Sequence, residues 1–148
     1  MRLGVLFCLA LMLAACRGGP AAVEPVNSRT VRLPGGQSIR VEVVSTPQDM
    51  ARGLMFRRSI APDRGMLFIH DRPGYYRYYM FQCFIPLDII WMDHDHRIVE
   101  ISADTPPCKT AEQECPTYGG NERAQFVLEL GGGMAAKYGL KPGDALEF

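Results

Sequence analysis

An aspartate set inside an apolar run is the sharpest chemical signal in the chain. Residues 76–92 read YRYYMFQCFIPLDIIWM, with Asp88 flanked by Leu87, Ile89 and Ile90. A carboxylate buried alone costs several kcal/mol, so Asp88 needs a partner. Arg52, Arg57, Arg64 or the backbone N–H groups of a turn are the partners on offer. Two roles follow. Asp88 is a ligand-contacting or acid/base group at the mouth of a barrel, or a structural carboxylate that holds residues 52–58 against its strand. The structural role is preferred.

Other reactive side chains are weaker candidates. Cys83 lies in the same run, where a free thiol packs as a small hydrophobe. A nucleophilic reading would need a base aimed at it, and nothing in the local sequence supplies one. His94 and His96 are two residues apart and would share a face of an extended strand, yet no third or fourth ligand accompanies them, so no metal site is assigned. Tyr75, Tyr76, Tyr78, Tyr79 and Phe81, with Gln82 beside them, form an aromatic stretch that suits stacking on a sugar or a peptide, although aromatic alternation in strands is more often core and cross-strand packing. No cofactor motif and no Gly-rich phosphate loop is present.

Compartment narrows the chemistry. Arg2 precedes an apolar run, residues 3–13, that is too short to span a bilayer and ends in small residues, as an export signal does. Leu13-Ala14-Ala15-Cys16 resembles the lipobox of bacterial lipoproteins. That resemblance implies cleavage after residue 15, a lipidated Cys16 and, with Arg17 next, sorting to the outer membrane. Residues 16–28 then form a Gly-, Pro- and Ala-rich tether, and residues 29–148 a single domain. Facing an oxidising space, Cys108 and Cys115 are the natural pair, bridging a polar surface loop. Lys+Arg 16 balances Asp+Glu 16, leaving no basic excess to neutralise phosphates, so nucleic acid is not an expected partner.

The elements that must position these groups are short and mostly extended. Residues 30–33 and 38–44 flank Pro34-Gly35-Gly36 as a hairpin, with Ile39, Val41 and Val43 on one face. Thr46 and Pro47 mark a helix start, and Gly53 loosens its end. Residues 66–69 form a strand, and Arg72-Pro73-Gly74 a turn. The run at 76–92 reads as two extended segments kinked at Pro86, the second a central strand because both its faces are apolar. Residues 93–96 make a hairpin loop, 97–102 and 124–130 are strands, 134–138 a helix stopped by Gly139, and 145–148 a last strand. The predicted fold is α+β and β-rich, a small barrel-like domain of six or seven short strands with two short helices.

Together these residues resemble the bacterial and archaeal domain of unknown function 192. The carrying residues are 51–57 (ARGLMFR), 65–68 (GMLF), Met80, 85–90 (IPLDII), Gly139 and Gly143-Asp144. The resemblance spans residues 41–148. It implies a small β-rich domain, often exported or lipid-anchored, without an established activity. Family members usually carry Lys, Asn and Thr where Phe81, Gln82 and Cys83 stand here.

The functional expectation is a lipid-anchored domain on the periplasmic side of the envelope, at the outer membrane. It acts as a non-catalytic binding or accessory protein for an envelope protein or a small ligand. Asp88, Arg52, Arg57, Arg64, Gln82 and Tyr78 are the candidate binding residues. The alternative is an envelope hydrolase or transferase using Asp88, with or without Cys83.

Overall fold

A computed structural model describes residues 27–148. The segments expected to be an export signal and a tether, with Cys16 between them, lie outside the described residues up to residue 26. Among the described residues no helix is long and apolar enough to cross a membrane.

β1 (Ser28–Arg32) and β2 (Ser38–Val44) form the antiparallel hairpin, with Val31 opposite Ile39. Ile39 and Val41 are buried while Arg40 between them is exposed, as strand alternation requires. α1 (Pro47–Arg52) starts where Thr46 Oγ1 accepts from the Asp49 N–H at 3.2 Å, with Pro47 at the first turn. It crosses to β3 (Arg64–Gly74), which pairs parallel with β2. β3 runs through Arg72, Pro73 and Gly74, where the sequence suggests a turn. The register slips between Ile69 and Gly74, and such an irregularity tolerates a proline that lacks an N–H.

The apolar run divides unequally. Only β4 (Tyr78–Tyr79) of its first half is a strand, paired with β7 (Thr117–Tyr118) in a separate two-stranded sheet. Its second half is β5 (Leu87–Met92), buried at all six positions. β5 lies between β6 (Ile98–Thr105) and β8 (Ala124–Gly131), which covers both edges as well as both faces. The main sheet has the order β1-β2-β3-β8-β5-β6, and α2 (Met134–Lys137) follows β8, ending before Gly139 at φ +67°.

The sheet is not closed as a ladder, but its edges come together. The expected last strand is reduced to two bridges, Arg97 to Ala145 and Arg32 to Glu147, so residues 145–147 join the start of β6 to the end of β1. The result is barrel-like, with eight strands, two of them only two residues long, and two short α-helices. Inside, Val31, Ile39, Leu67, Ile90, Leu128 and Leu146 pack as one core. The opposite faces of the same strands carry a second core of Phe68, Met80, Ile89, Trp91 and Val127, roofed by the segments around residues 54–60 and 78–86.

Candidate functional site

The two cores put the two acids of the central strands on opposite faces. Asp88 points with Ile90 and Met92 toward the first core, whereas Glu129, on β8 with Val127, points toward the second.

Asp88 is fully buried and holds the backbone. Its Oδ1 accepts from the N–H groups of Asp104 at 2.7 Å and Gly133 at 3.1 Å, and its Oδ2 from that of Ala135 at 2.5 Å. None of the three arginines is its partner. The carboxylate ties β5 to the turn that opens α2 and to β6, not to residues 52–58, and three charge-assisted bonds answer its desolvation. This is a bracing role through a different segment from the one the sequence suggests.

The arginines are placed elsewhere. Arg57 makes a two-pronged ion pair with Glu42 at 2.5 and 2.6 Å, which holds the 54–58 segment on β2 and raises the guanidinium pKa through that hydrogen bond. Arg64 opens β3 with Asp63 at 3.5 Å. Arg52 is exposed at the end of α1. Gln82 contributes its main chain: at φ +54° its carbonyl accepts from the Phe56 N–H at 2.8 Å, Phe56 itself being at φ +65°. Two non-glycine residues in the left-handed region cost about 1–3 kcal/mol each. They stitch together the two loops that roof the second core.

Between those loops and the sheet lies a pocket of about 180 Å³. That is room for a small molecule, since a cavity of about 150 Å³ accepts benzene. Its walls are Met50, Leu54, Met55, Phe68, Tyr78 and Phe81, with Cys83 and His70 also lining it. Gly53 turns the chain into the wall at φ +44°, where a side chain would be strained and would press on Phe68 at 3.2 Å. Arg52 and Arg77 line the pocket yet are exposed, so they stand at its rim. Of the residues named from sequence, the pocket gathers Arg52 and Tyr78 together with Cys83. Asp88, Arg57, Arg64 and Gln82 do not line it.

Glu129 forms the floor, 5% exposed, between its cross-strand neighbours Met66 and Ile89. Among the described residues no donor is hydrogen-bonded to its carboxyl. Burial pushes its pKa from 4.5 up to about 8. The groups around it are held neutral too. Burial, then the Glu129 charge, raises Cys83 from 9.0 to about 12, and burial lowers His70 from 6.5 to about 4 against the pull of Asp71. Tyr78, whose hydroxyl shares a 3.1 Å hydrogen bond with His70 Nε2, is raised by burial, with Glu129 and Tyr76 adding to the shift.

The wall is buttressed from outside. Cys108 and Cys115 are bridged, with Cα atoms 5.7 Å apart. From this loop the Cys108 N–H donates to the Met80 carbonyl at 3.1 Å, Glu112 accepts from the Tyr79 hydroxyl at 3.1 Å, and β7 pairs with β4. The other histidines are remote in kind. His96 stacks on Phe148 at 3.9 Å, while His94 is exposed beside Asp95, and Asp93 Oδ1 is engaged by the N–H groups of Asp95 and Arg97.

Sequence reasoning missed Glu129. It shares the strand AQFVLELG with one other polar residue, Gln125, and the available hint was Val127, an apolar residue two positions earlier on the same face, while Leu128 and Leu130 fill the opposite one.

No curated protein matches the chain. Solved structures that resemble it include two with a TM-score of 0.73 each. A protein of unknown function from Novosphingobium aromaticivorans DSM 12444 is 33% identical over 88% of this chain and 94% of its own. A protein of Sinorhizobium meliloti 1021 described as a candidate transcription regulator is 32% identical, over 84% of this chain and 97% of its own. The profile of the DUF192 family, described as an uncharacterised ACR, matches residues 30–148. The chain therefore belongs to the domain of unknown function 192 family.

Proposed function

We propose that this protein is a non-catalytic binding domain of the cell envelope, tethered through a lipidated Cys16 on the periplasmic side of the outer membrane, and that it takes a small ligand in the pocket floored by Glu129. The observation that carries the reading is the Glu129 carboxyl itself, buried at the base of a lined pocket without a donor among the described residues. No fully buried side-chain oxygen of the described residues lacks a partner, so the Glu129 carboxyl is open to the pocket, and a ligand that donates to it gains a hydrogen bond to a charged or strongly polar group, worth about 1.5–3 kcal/mol.

Binding is favoured over catalysis by the state of the surrounding groups. A thiol raised to about 12 is not a nucleophile near neutral pH, and an imidazole lowered to about 4 is a hydrogen-bonding group without charge. Asp88, the acid/base of the enzyme alternative, is engaged by three backbone N–H groups and does not line the pocket. A role in transcription is not carried over from the Sinorhizobium meliloti protein, because the chain has no net positive charge.

The test is an amide NMR titration of the protein with a small-molecule extract of the envelope. Resonances of residues 77–83 and 129 shift if the reading is right. Shifts confined to other surfaces would remove the pocket from the account. Anchoring is checked separately: labelled fatty acid is incorporated into the wild-type protein and not into Cys16→Ser, and equal labelling of both would refute lipidation at that residue.

A further inference from the structure

We propose that the pocket selects a ligand with an ammonium group at its inner end, an apolar middle and an anionic group at its outer end. This rests on the pocket being a binding site, and it follows from how charge is layered along it. The floor is one carboxyl, Glu129, and the rim is two guanidinium groups, Arg52 and Arg77. Between them the lining offers the rings of Phe68, Tyr78 and Phe81 and the thioethers of Met50 and Met55.

The inner end is assigned by what faces Glu129. From β3 come Met66 and His70, from β5 Ile89, from β4 Tyr78, and from the turn after β4 the Cys83 thiol. His70 and Tyr78 are bonded to each other. None of these is a cation, so the carboxylate form of Glu129 has no counter-charge among the described residues; an anionic ligand group would be repelled by that form and could take at most the single O–H donor of the protonated one. An ammonium group supplies both the missing donors and the missing charge, and aromatic faces of the kind lining the wall favour a cation as well. At the outer end the arginines favour an anion and disfavour a second cation.

Proton bookkeeping follows directly. Below about pH 8 the empty pocket holds Glu129 protonated, so entry of an ammonium group releases that proton to solvent as the carboxylate forms. Affinity for such a ligand therefore rises with pH toward 8.

The experiment titrates the purified full chain with 6-aminohexanoate, hexylamine and hexanoate, read by amide shifts of residues 77–83 and 129. The expected order is 6-aminohexanoate, then hexylamine, then hexanoate, with at least a tenfold preference of the first over the last. Glu129→Gln abolishes that preference while keeping the fold, checked by its melting transition. Joint Arg52→Gln and Arg77→Gln bring 6-aminohexanoate down to hexylamine. Hexanoate binding as tightly as 6-aminohexanoate, or a preference that survives Glu129→Gln, overturns the ligand class while leaving the pocket as a binding site. Failure of all three probes to move these resonances overturns both.

Discussion

Replacing Glu129 with glutamine should change how stability depends on pH, and the size of the change follows from its burial. In the unfolded chain the carboxyl ionises near 4.5, whereas in the fold it holds its proton up to about 8. The folded state therefore binds more protons across that window, and stability falls as pH rises through it, by about 1.4 kcal/mol per unit. His70 acts in the opposite sense. Its folded pKa is lowered from 6.5 to about 4, so the unfolded chain binds the extra proton and stability rises with pH between those values. The two slopes oppose each other below 6.5, and His70, being only half-buried, offsets Glu129 in part. Between pH 6.5 and 8 Glu129 is left alone, and the wild type loses about 2 kcal/mol. Cys83, raised from 9.0 to about 12, adds to the fall only above that range. Urea denaturation at pH 5.5, 6.5, 7.5 and 8.5 measures this. The wild-type midpoint declines over the last three points and that of Glu129→Gln stays level. Parallel curves for the two proteins would refute the reasoning, because they would mean that the carboxyl is already ionised or solvated in the fold.

Asp88→Ala leaves the buried Ala135 N–H and the half-buried N–H groups of Asp104 and Gly133 without their acceptor and lowers stability by about 2–4 kcal/mol by urea denaturation. A loss under about 1 kcal/mol would show that water replaces the carboxylate. Cys83, whose thiol burial pushes up to about 12, reacts with iodoacetamide at pH 8 at least about tenfold more slowly than an exposed cysteine, the lost thiolate fraction being offset in part by the higher nucleophilicity of a more basic thiolate, and labelling at the ordinary rate would contradict its placement. Replacing Cys108 and Cys115 together by serine costs about 2.5 kcal/mol for so short a ring and speeds amide exchange in residues 78–83, whereas unchanged exchange would mean that the loop does not buttress the pocket wall.

Local chemistry made much of the fold legible. The Pro34-Gly35-Gly36 hairpin, the Thr46 cap with Pro47, the stop at Gly139 and the Cys108–Cys115 pairing depend on residues close in sequence, and they are found where turn, cap and ring rules put them. β5 was readable because an acid amid five apolar residues implies burial on both faces. What failed to read was non-local. Asp88 finds its N–H donors at residues 104, 133 and 135, from segments that only the sheet brings together, and Arg57 is taken by Glu42, fifteen residues earlier. Residues 76–83 have the propensity of a core strand, yet only Tyr78 and Tyr79 pair, because their partner is the short β7 beyond the disulfide loop and the chain turns at Met80 to Cys83. Glu129 reads as the polar position of an ordinary strand until the roof of the second core closes over it.

The central claim is that Glu129 is a protonated, unpartnered carboxyl at the base of a ligand pocket. The direct measurement is the ¹³C shift of its side-chain carboxyl followed from pH 4 to 10, in the free protein and with 6-aminohexanoate. The account predicts a midpoint near 8 in the free protein and a marked fall when the amine is bound. A midpoint in the ordinary carboxylate range, unmoved by the amine, would contradict it.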